Sequence, residues 1–162
     1  MFSTKIRTVL AIATVAVAAM TFGISAASAD AAVGPLSASL TITKAGNGYS
    51  SVLVTGVVKA TPAETQEMLR KDYRVVFRLW GSDTFSDDFL YGPDPASVVA
   101  TSRGLEFKGQ AVVRNSVLDE DWGVDEVYAG VRLVTWTSYT GGKLRHGPTI
   151  VSGQSNEVWR SF

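Results

Sequence analysis

The chain has 162 residues, with 15 basic and 15 acidic side chains, one histidine and no cysteine. This balanced charge gives no basic surface on which nucleic acid or an anionic membrane would bind constitutively, and the lack of cysteine excludes disulfides, thiolate catalysis and a lipid-bearing thiol. A chain of this length can bury enough apolar surface to fold as one domain without such crosslinks.

The first 29 residues have the pattern of a secretory signal peptide. Lys5 and Arg7 precede an apolar run over residues 9–20, and the small residues Ala27–Ala29 supply a cleavage site. Because the run is shorter than the ~20 residues of a spanning helix, we predict cleavage after Ala29 and a secreted protein without stable membrane insertion. The 133 residues that remain carry 13 basic and 15 acidic side chains.

The chain from residue 30 onward begins with a predicted flexible lead over residues 30–36, followed by a single domain over residues 37–162. Alternating apolar residues on both sides of the turn 45–48 predict a β-hairpin. Thr61, Pro62 and Glu64 then have the spacing of a capping box, with proline at the first helical position. We therefore predict one short connecting helix near 62–71.

The second half of the chain is a series of short strand patterns. Residues 73–80 alternate, with Val75, Phe77 and Leu79 on one face and Arg78 on the other, which predicts a central strand with one solvated face. Residues 81–95 are interpreted as a loop because of their Gly, Pro and Asp content. Further strands are predicted at 97–101, 105–113, 127–136, 144–151 and 157–162. About seven to eight short strands indicate an all-β, antiparallel β-sandwich.

Two segments concentrate acidic side chains, in the loop 81–95 and in the segment 115–126. Calcium takes six to eight oxygen ligands from carboxylates, carbonyls and water, which flexible loops rich in Asp can supply. The alternative is that these acids are solvated turns that bind no ion.

The segment VLDEDWGVDEVYAG, residues 117–130, resembles the third calcium loop of the calcium-dependent phospholipid-binding β-sandwiches found in synaptotagmins and protein kinase C. In that family a hydrophobic-x-Asp-x-Asp opening is followed by a further acid, apolar residues and Gly. The matching residues here are Val117, Asp119, Asp121, Glu126 and Gly130. The resemblance implies calcium as the bound ion, held by Asp119, Asp121 and Glu126, with Asp83 and Asp87 or Asp88 opposite.

Aromatic residues beside these loops support a second hypothesis. Trp80, Tyr91 and Trp122 could form flat apolar platforms that stack on a sugar or anchor an interface. Trp136 and Trp159 lie in predicted strands and are interpreted as structural.

Catalysis has few candidate groups in this sequence. His146 is the single histidine, and no serine lies in a Gly-x-Ser-x-Gly elbow. We predict no catalytic residue and no cofactor other than calcium. The predicted function is a secreted, non-catalytic binding or structural module, calcium-stabilised at its acidic loops, whose partner is an extracellular protein or glycan. The alternatives are a carbohydrate or cell-wall binding module that uses loop aromatics, and a small secreted hydrolase that uses a carboxylate pair.

Overall fold

The computed structural model describes residues 33–82, 86–119 and 124–162. These residues form antiparallel strands joined by two short helices, which confirms the all-β prediction, and the structure has more strands than the predicted seven to eight. The predicted signal peptide lies outside the described residues. The strands are β1 Leu36–Gly46, β2 Tyr49–Val58, β3 Arg74–Gly81, β4 Asp88–Thr101, β5 Gly104–Arg114, β6 Asp125–Val134, β7 Thr137–Thr140, β8 Lys143–His146, β9 Thr149–Gln154 and β10 Val158–Arg160, and the helices are α1 Pro62–Arg70 and α2 Asn115–Leu118.

The strands form two packed layers. The first layer has the order β1-β2-β5-β4, and the second has the order β4-β3-β6, with β9 and β10 both pairing with the far edge of β6. The hairpin β7-β8 forms a separate two-stranded sheet. The face of the second layer that points away from the core is called the outer face below.

Strand β4 belongs to both layers. Residues 88–96 pair with β3, whereas residues 97–101 pair with β5. The predicted loop 81–95 is therefore wrong over 88–95, and also at Gly81, which ends β3. Glycine, proline and aspartate are uncommon in strands, and here the pairing with β3 is interrupted by register shifts beside Leu79, where β4 accommodates these residues.

The two layers meet at a seam between β1 and residues 156–160. Side-chain hydrogen bonds hold this seam closed. The Asn156 amide accepts a hydrogen bond from the Leu40 N–H (2.9 Å) and donates one to the Leu40 carbonyl (3.2 Å). The Arg160 guanidinium donates to the Ile42 carbonyl (2.9 Å). Backbone groups at the edge of β1 thus obtain partners without a neighbouring strand, and the sheet is nearly closed.

The core lies between the layers and follows the predicted alternation. Val75, Phe77 and Leu79 of β3 are buried, as predicted. The prediction that the opposite face of this strand is solvated is wrong, because Val76 is buried and Arg78 is half-buried. A Cβ on Gly109 would lie 2.5 Å from the Phe77 ring, so this glycine leaves the space that the ring occupies. The remaining buried apolar side chains of the strands include Leu40, Ile42, Val52, Val54, Leu105, Phe107, Val113, Val127, Ala129, Val131 and Leu133.

Helix α1 closes the end of the sandwich opposite the acidic loops. The predicted capping box is present, because Glu64 accepts from the Thr61 N–H (2.7 Å) and the Thr61 hydroxyl accepts from the Glu64 N–H (3.3 Å). Met68 is buried in the core, so the helix contributes to the core as well as connecting strands.

The lead before β1 is partly docked. Gly34 donates to the Lys59 carbonyl and Lys59 donates to the Pro35 carbonyl, so regular pairing begins before the predicted domain start at residue 37. In the described parts of the chain no helix is both long and apolar enough to cross a bilayer.

Candidate functional site

The two acidic segments leave the same end of the sandwich. Gly81 at the end of β3 lies opposite Val127 near the start of β6, and the Ser82 N–H donates to the Glu126 carbonyl at 2.7 Å. The flanks of the segments are therefore neighbours because β3 and β6 pair directly. Within the second segment, residues 115–118 form the helical turn α2 where an irregular loop was predicted.

The predicted metal ligands in the described residues have separate surroundings. Asp87, Asp88 and Asp119 are exposed, and Asp88 already belongs to β4, opposite Gly81. Glu126 is half-buried in β6. The remaining two, Asp83 and Asp121, lie outside the described residues. Among residues 33–82, 86–119 and 124–162 no group of three or more His, Asp or Glu side chains is close enough to hold a metal ion.

Asp125 is the acid in this region that the sequence interpretation missed. It is 3 % exposed, and among the residues that the structure describes it is the one buried carboxylate. Asp125 has the same parity as Val127 and Ala129, both of which are buried. It belongs to their strand because β6 begins two residues earlier than predicted. Extending the alternation backward by one step would have placed it on the inner face.

A row of aromatic side chains crosses the outer face at this end, and we call it the aromatic strip. Phe89, Trp80 and Tyr128 occupy opposed positions on β4, β3 and β6. The Trp80 and Phe89 rings meet edge to face at 5.6 Å between centroids. Trp159 of β10 lies opposite Glu126 and is 65 % exposed. It extends the strip across a fourth strand, so the interpretation of Trp159 as structural is corrected.

Beside the strip lies a groove of about 340 Å³ that is centred on Gly130, called the Gly130 groove here. Gly130 has no side chain, and a Cβ at this position would lie 3.0 Å from Nε1 of Trp80. The indole edge therefore rests over the backbone of β6. The polar and aromatic side chains that line the groove are Arg78, Trp80, Tyr128, Arg132, Ser152 and Gln154.

The predicted platform residue Tyr91 lies in a second, shallower groove. It is half-buried, and its hydroxyl donates to Asp94 at 2.6 Å. This groove, of about 600 Å³, lies between the start of β4 and the β7-β8 hairpin, and it is also lined by Phe89 and Tyr139. Because Phe89 touches Trp80, the strip connects the two grooves. The third predicted platform, Trp122, lies outside the described residues.

Two buried or half-buried phenols are held protonated by their surroundings. Burial raises the pKa of Tyr128 to about 12, and its hydrogen bond to the Asp87 carboxylate (2.6 Å) acts in the same direction. Burial, and then the hydrogen bond to Asp94, likewise raise the pKa of Tyr91 to about 12. Both phenols therefore keep their protons to a higher pH than an exposed tyrosine does.

The other residues considered from the sequence lie apart from these grooves. Trp136 lies between β6 and β7 and is exposed, so the prediction that it lies within a strand is wrong. His146 ends β8 half-exposed, with Nδ1 2.9 Å from the Gly147 carbonyl.

Comparisons of the chain with models of protein families, with curated proteins and with solved structures found no match.

Proposed function

We propose that this protein is a secreted, non-catalytic binding module that holds a saccharide on its outer face, at the aromatic strip and the Gly130 groove. The observation that carries the proposal is the position of Trp80, whose indole lines a groove together with the planar polar groups of Arg78, Arg132 and Gln154. An apolar ring beside hydrogen-bonding groups suits the two surfaces of a sugar, one of C–H groups and one of hydroxyls.

The size and position of the surface also support this proposal. The Gly130 groove of about 340 Å³ is at the lower end of the range for small-molecule sites. The strip continues from it through Phe89 to the groove beside Tyr91, so a chain of several sugar units could contact both. The side chains that line the Gly130 groove are neutral or basic. Hydrolysis of a glycosidic bond ordinarily uses a pair of carboxylates, and this lining supplies no such pair.

Replacing Trp80 by alanine tests this function. We expect Trp80→Ala to weaken binding of the best ligand from a glycan array by about tenfold, because a lost stacking surface is worth on the order of 1 kcal/mol or more. Titration calorimetry measures the change. Trp136→Ala is the matched control, since it removes an exposed indole outside both grooves.

Thermal unfolding of Trp80→Ala and Trp136→Ala separates an effect on binding from an effect on folding. Trp159→Ala provides a second strip variant at a more exposed position. Unchanged glycan affinity in both strip variants would contradict the proposal. Loss of binding in Trp122→Ala alone would move the site to the acidic segment.

Calcium stabilisation is a second candidate function, and one observation favours it. The described flanks of the two acidic segments are adjacent, as the hydrogen bond from the Ser82 N–H to the Glu126 carbonyl indicates. A site there depends on Asp83 and Asp121, because the described acids alone assemble no ligand group. In this hypothesis the ion joins the loops at the end of the sandwich next to the strip.

A further inference from the structure

The Gly130 groove contains two arginines from adjacent strands. Arg78 of β3 lies directly opposite Gly130 of β6, and Arg132 follows Gly130 by two residues on the same face. The two side chains are thus diagonal neighbours across the strand pair, and both are half-buried. Gly130 adds no side chain of its own to this part of the groove, where the edge of the Trp80 indole lies over its backbone.

Neither arginine has an acidic partner in the described parts of the chain. Four other basic residues there form ion pairs with carboxylates: Arg70 and Lys71 with Glu67, Arg74 with Asp72, and Arg103 with Glu106. Arg78 and Arg132 are instead each other's charged neighbours across the strand pair. Burial lowers the pKa of Arg78, and the neighbouring charge of Arg132 lowers it further. Two like charges held together at a half-buried site disfavour the free state unless an anion joins them.

The remaining groups around the groove are also hydrogen-bond donors. Gln154 lies opposite Gly130, and Ser152 lies opposite Arg132. Nε1 of the Trp80 indole also lies here, 3.0 Å from the position of a Gly130 Cβ. The Tyr128 hydroxyl already donates a hydrogen bond to Asp87. The groove therefore presents positive charge and N–H or O–H donors on several sides, with an indole on one wall.

We propose that the Gly130 groove binds the acidic group of an anionic saccharide, with its carboxylate or sulfate between the guanidinium groups of Arg78 and Arg132. This inference rests on the proposed function and names the class of its ligand. A guanidinium presents paired N–H groups that match two oxygens of an oxyanion. The sugar ring that carries the acidic group then lies against Trp80, and Gln154 and Ser152 reach its hydroxyls.

The experiment compares a uronic-acid tetrasaccharide with its carboxyl-reduced, neutral counterpart by titration calorimetry on the purified protein, with a sulfated tetrasaccharide as a third ligand. We expect at least tenfold tighter binding of an acidic ligand than of the neutral one, and an affinity that falls as NaCl is raised. Arg78→Gln and Arg132→Gln should each weaken binding of the acidic ligand at least tenfold and weaken binding of the neutral ligand much less, because glutamine keeps a planar hydrogen-bonding group. Arg78→Lys keeps the positive charge but loses the paired N–H groups of the guanidinium. Its affinity for the acidic ligand should therefore lie between those of the unaltered protein and Arg78→Gln.

Arg145→Gln, at an exposed position of β8 outside the groove, is the matched control and should bind like the unaltered protein. Thermal unfolding gives an independent readout. Since Arg132→Gln removes a like charge beside Arg78, its midpoint should equal or exceed that of the unaltered protein while its binding is lost.

Each remaining outcome has a defined meaning. Equal binding of the acidic and neutral saccharides, or full binding in both glutamine variants, overturns the acidic subsite and leaves the saccharide-binding function standing. Binding of an acidic peptide with no binding of any saccharide overturns both. Tight binding of the sulfated ligand alone supports the subsite and assigns sulfate as the acidic group.

Discussion

A hydrogen bond from a hydroxyl to a carboxylate connects the segment before β4 to the middle strand region of the second layer. Tyr128 is 8 % exposed on β6, and its hydroxyl reaches the Asp87 carboxylate just outside β4. The fold holds the phenol in its neutral form, since an ionised phenol next to a carboxylate would place two negative charges in a poorly solvated position.

This contact predicts how stability depends on pH in the alkaline range. The pKa of Tyr128 is raised from its ordinary value of 10.0 to about 12 in the folded state. Its contribution to the free energy of unfolding is therefore complete below pH 10 and is lost as pH rises toward 12. Urea unfolding at intervals from pH 9 to pH 11.5 should show a steeper loss for the unaltered protein than for Tyr128→Phe.

Tyr139→Phe is the control for this measurement, because Tyr139 is exposed and donates no hydrogen bond to a carboxylate in the described residues. Parallel pH profiles of the unaltered protein and Tyr128→Phe would contradict the assignment.

At the residue scale the sequence could predict faces but not neighbours. The alternation around Leu79 correctly places Arg78 on the face opposite the buried side chains, and in the structure Arg132 lies on the corresponding face of β6. Their proximity depends on β3 pairing with β6, and some fifty residues separate these strands in the chain. No local pattern carries that register, so the sequence predicts only a solvated face at Arg78 and not a pair of neighbouring arginines.

At the scale of elements, β3 is the central strand of the second layer. It lies between β4 and β6, and its inward side chains are fully buried. Leu79→Ala should therefore lower the free energy of unfolding by about 2 to 5 kcal/mol, through lost burial and the cavity left behind. Equilibrium unfolding in urea measures this loss.

Val112→Ala is the matched control on β5, at a position that is 64 % exposed, and it should change stability by less than about 0.5 kcal/mol. A loss at Leu79 no larger than the loss at Val112 would show that the assigned inward face is wrong.

Elements with strong local signals were predicted well, and those formed by tertiary pairing were not. The hairpin turn at Asn47, the capping box at Thr61 and the alternation of β3 each depend on a few adjacent residues. The start of β4 contains Gly92 and Pro93, which ordinarily interrupt strands. Here the pairing with β3 outweighs that local preference.

At the scale of the whole molecule, the acidic segments bear on total stability. An ion that binds the folded state alone adds RT ln(1 + [L]/Kd), or roughly 2.7 kcal/mol at a hundredfold excess over Kd. If calcium joins the segments, the thermal midpoint should rise with calcium and fall back with a chelator. The Asp119→Asn/Asp121→Asn double variant should lose this response.

Glycan affinity measured with and without calcium then separates the two candidate functions. A thermal midpoint that does not respond to millimolar calcium would identify these acids as solvated turns and leave the saccharide proposal untouched.

The seam between β1 and residues 156–160 has a consequence for how the molecule is made. The first strand of the domain receives hydrogen bonds from Asn156 and Arg160, which follow their partners in the chain by 116 and 118 residues. A partly synthesised chain can assemble the β1-β2 hairpin but cannot close the sheet around its core. Closure of the sheet therefore has to wait until residues 156–160 have been synthesised.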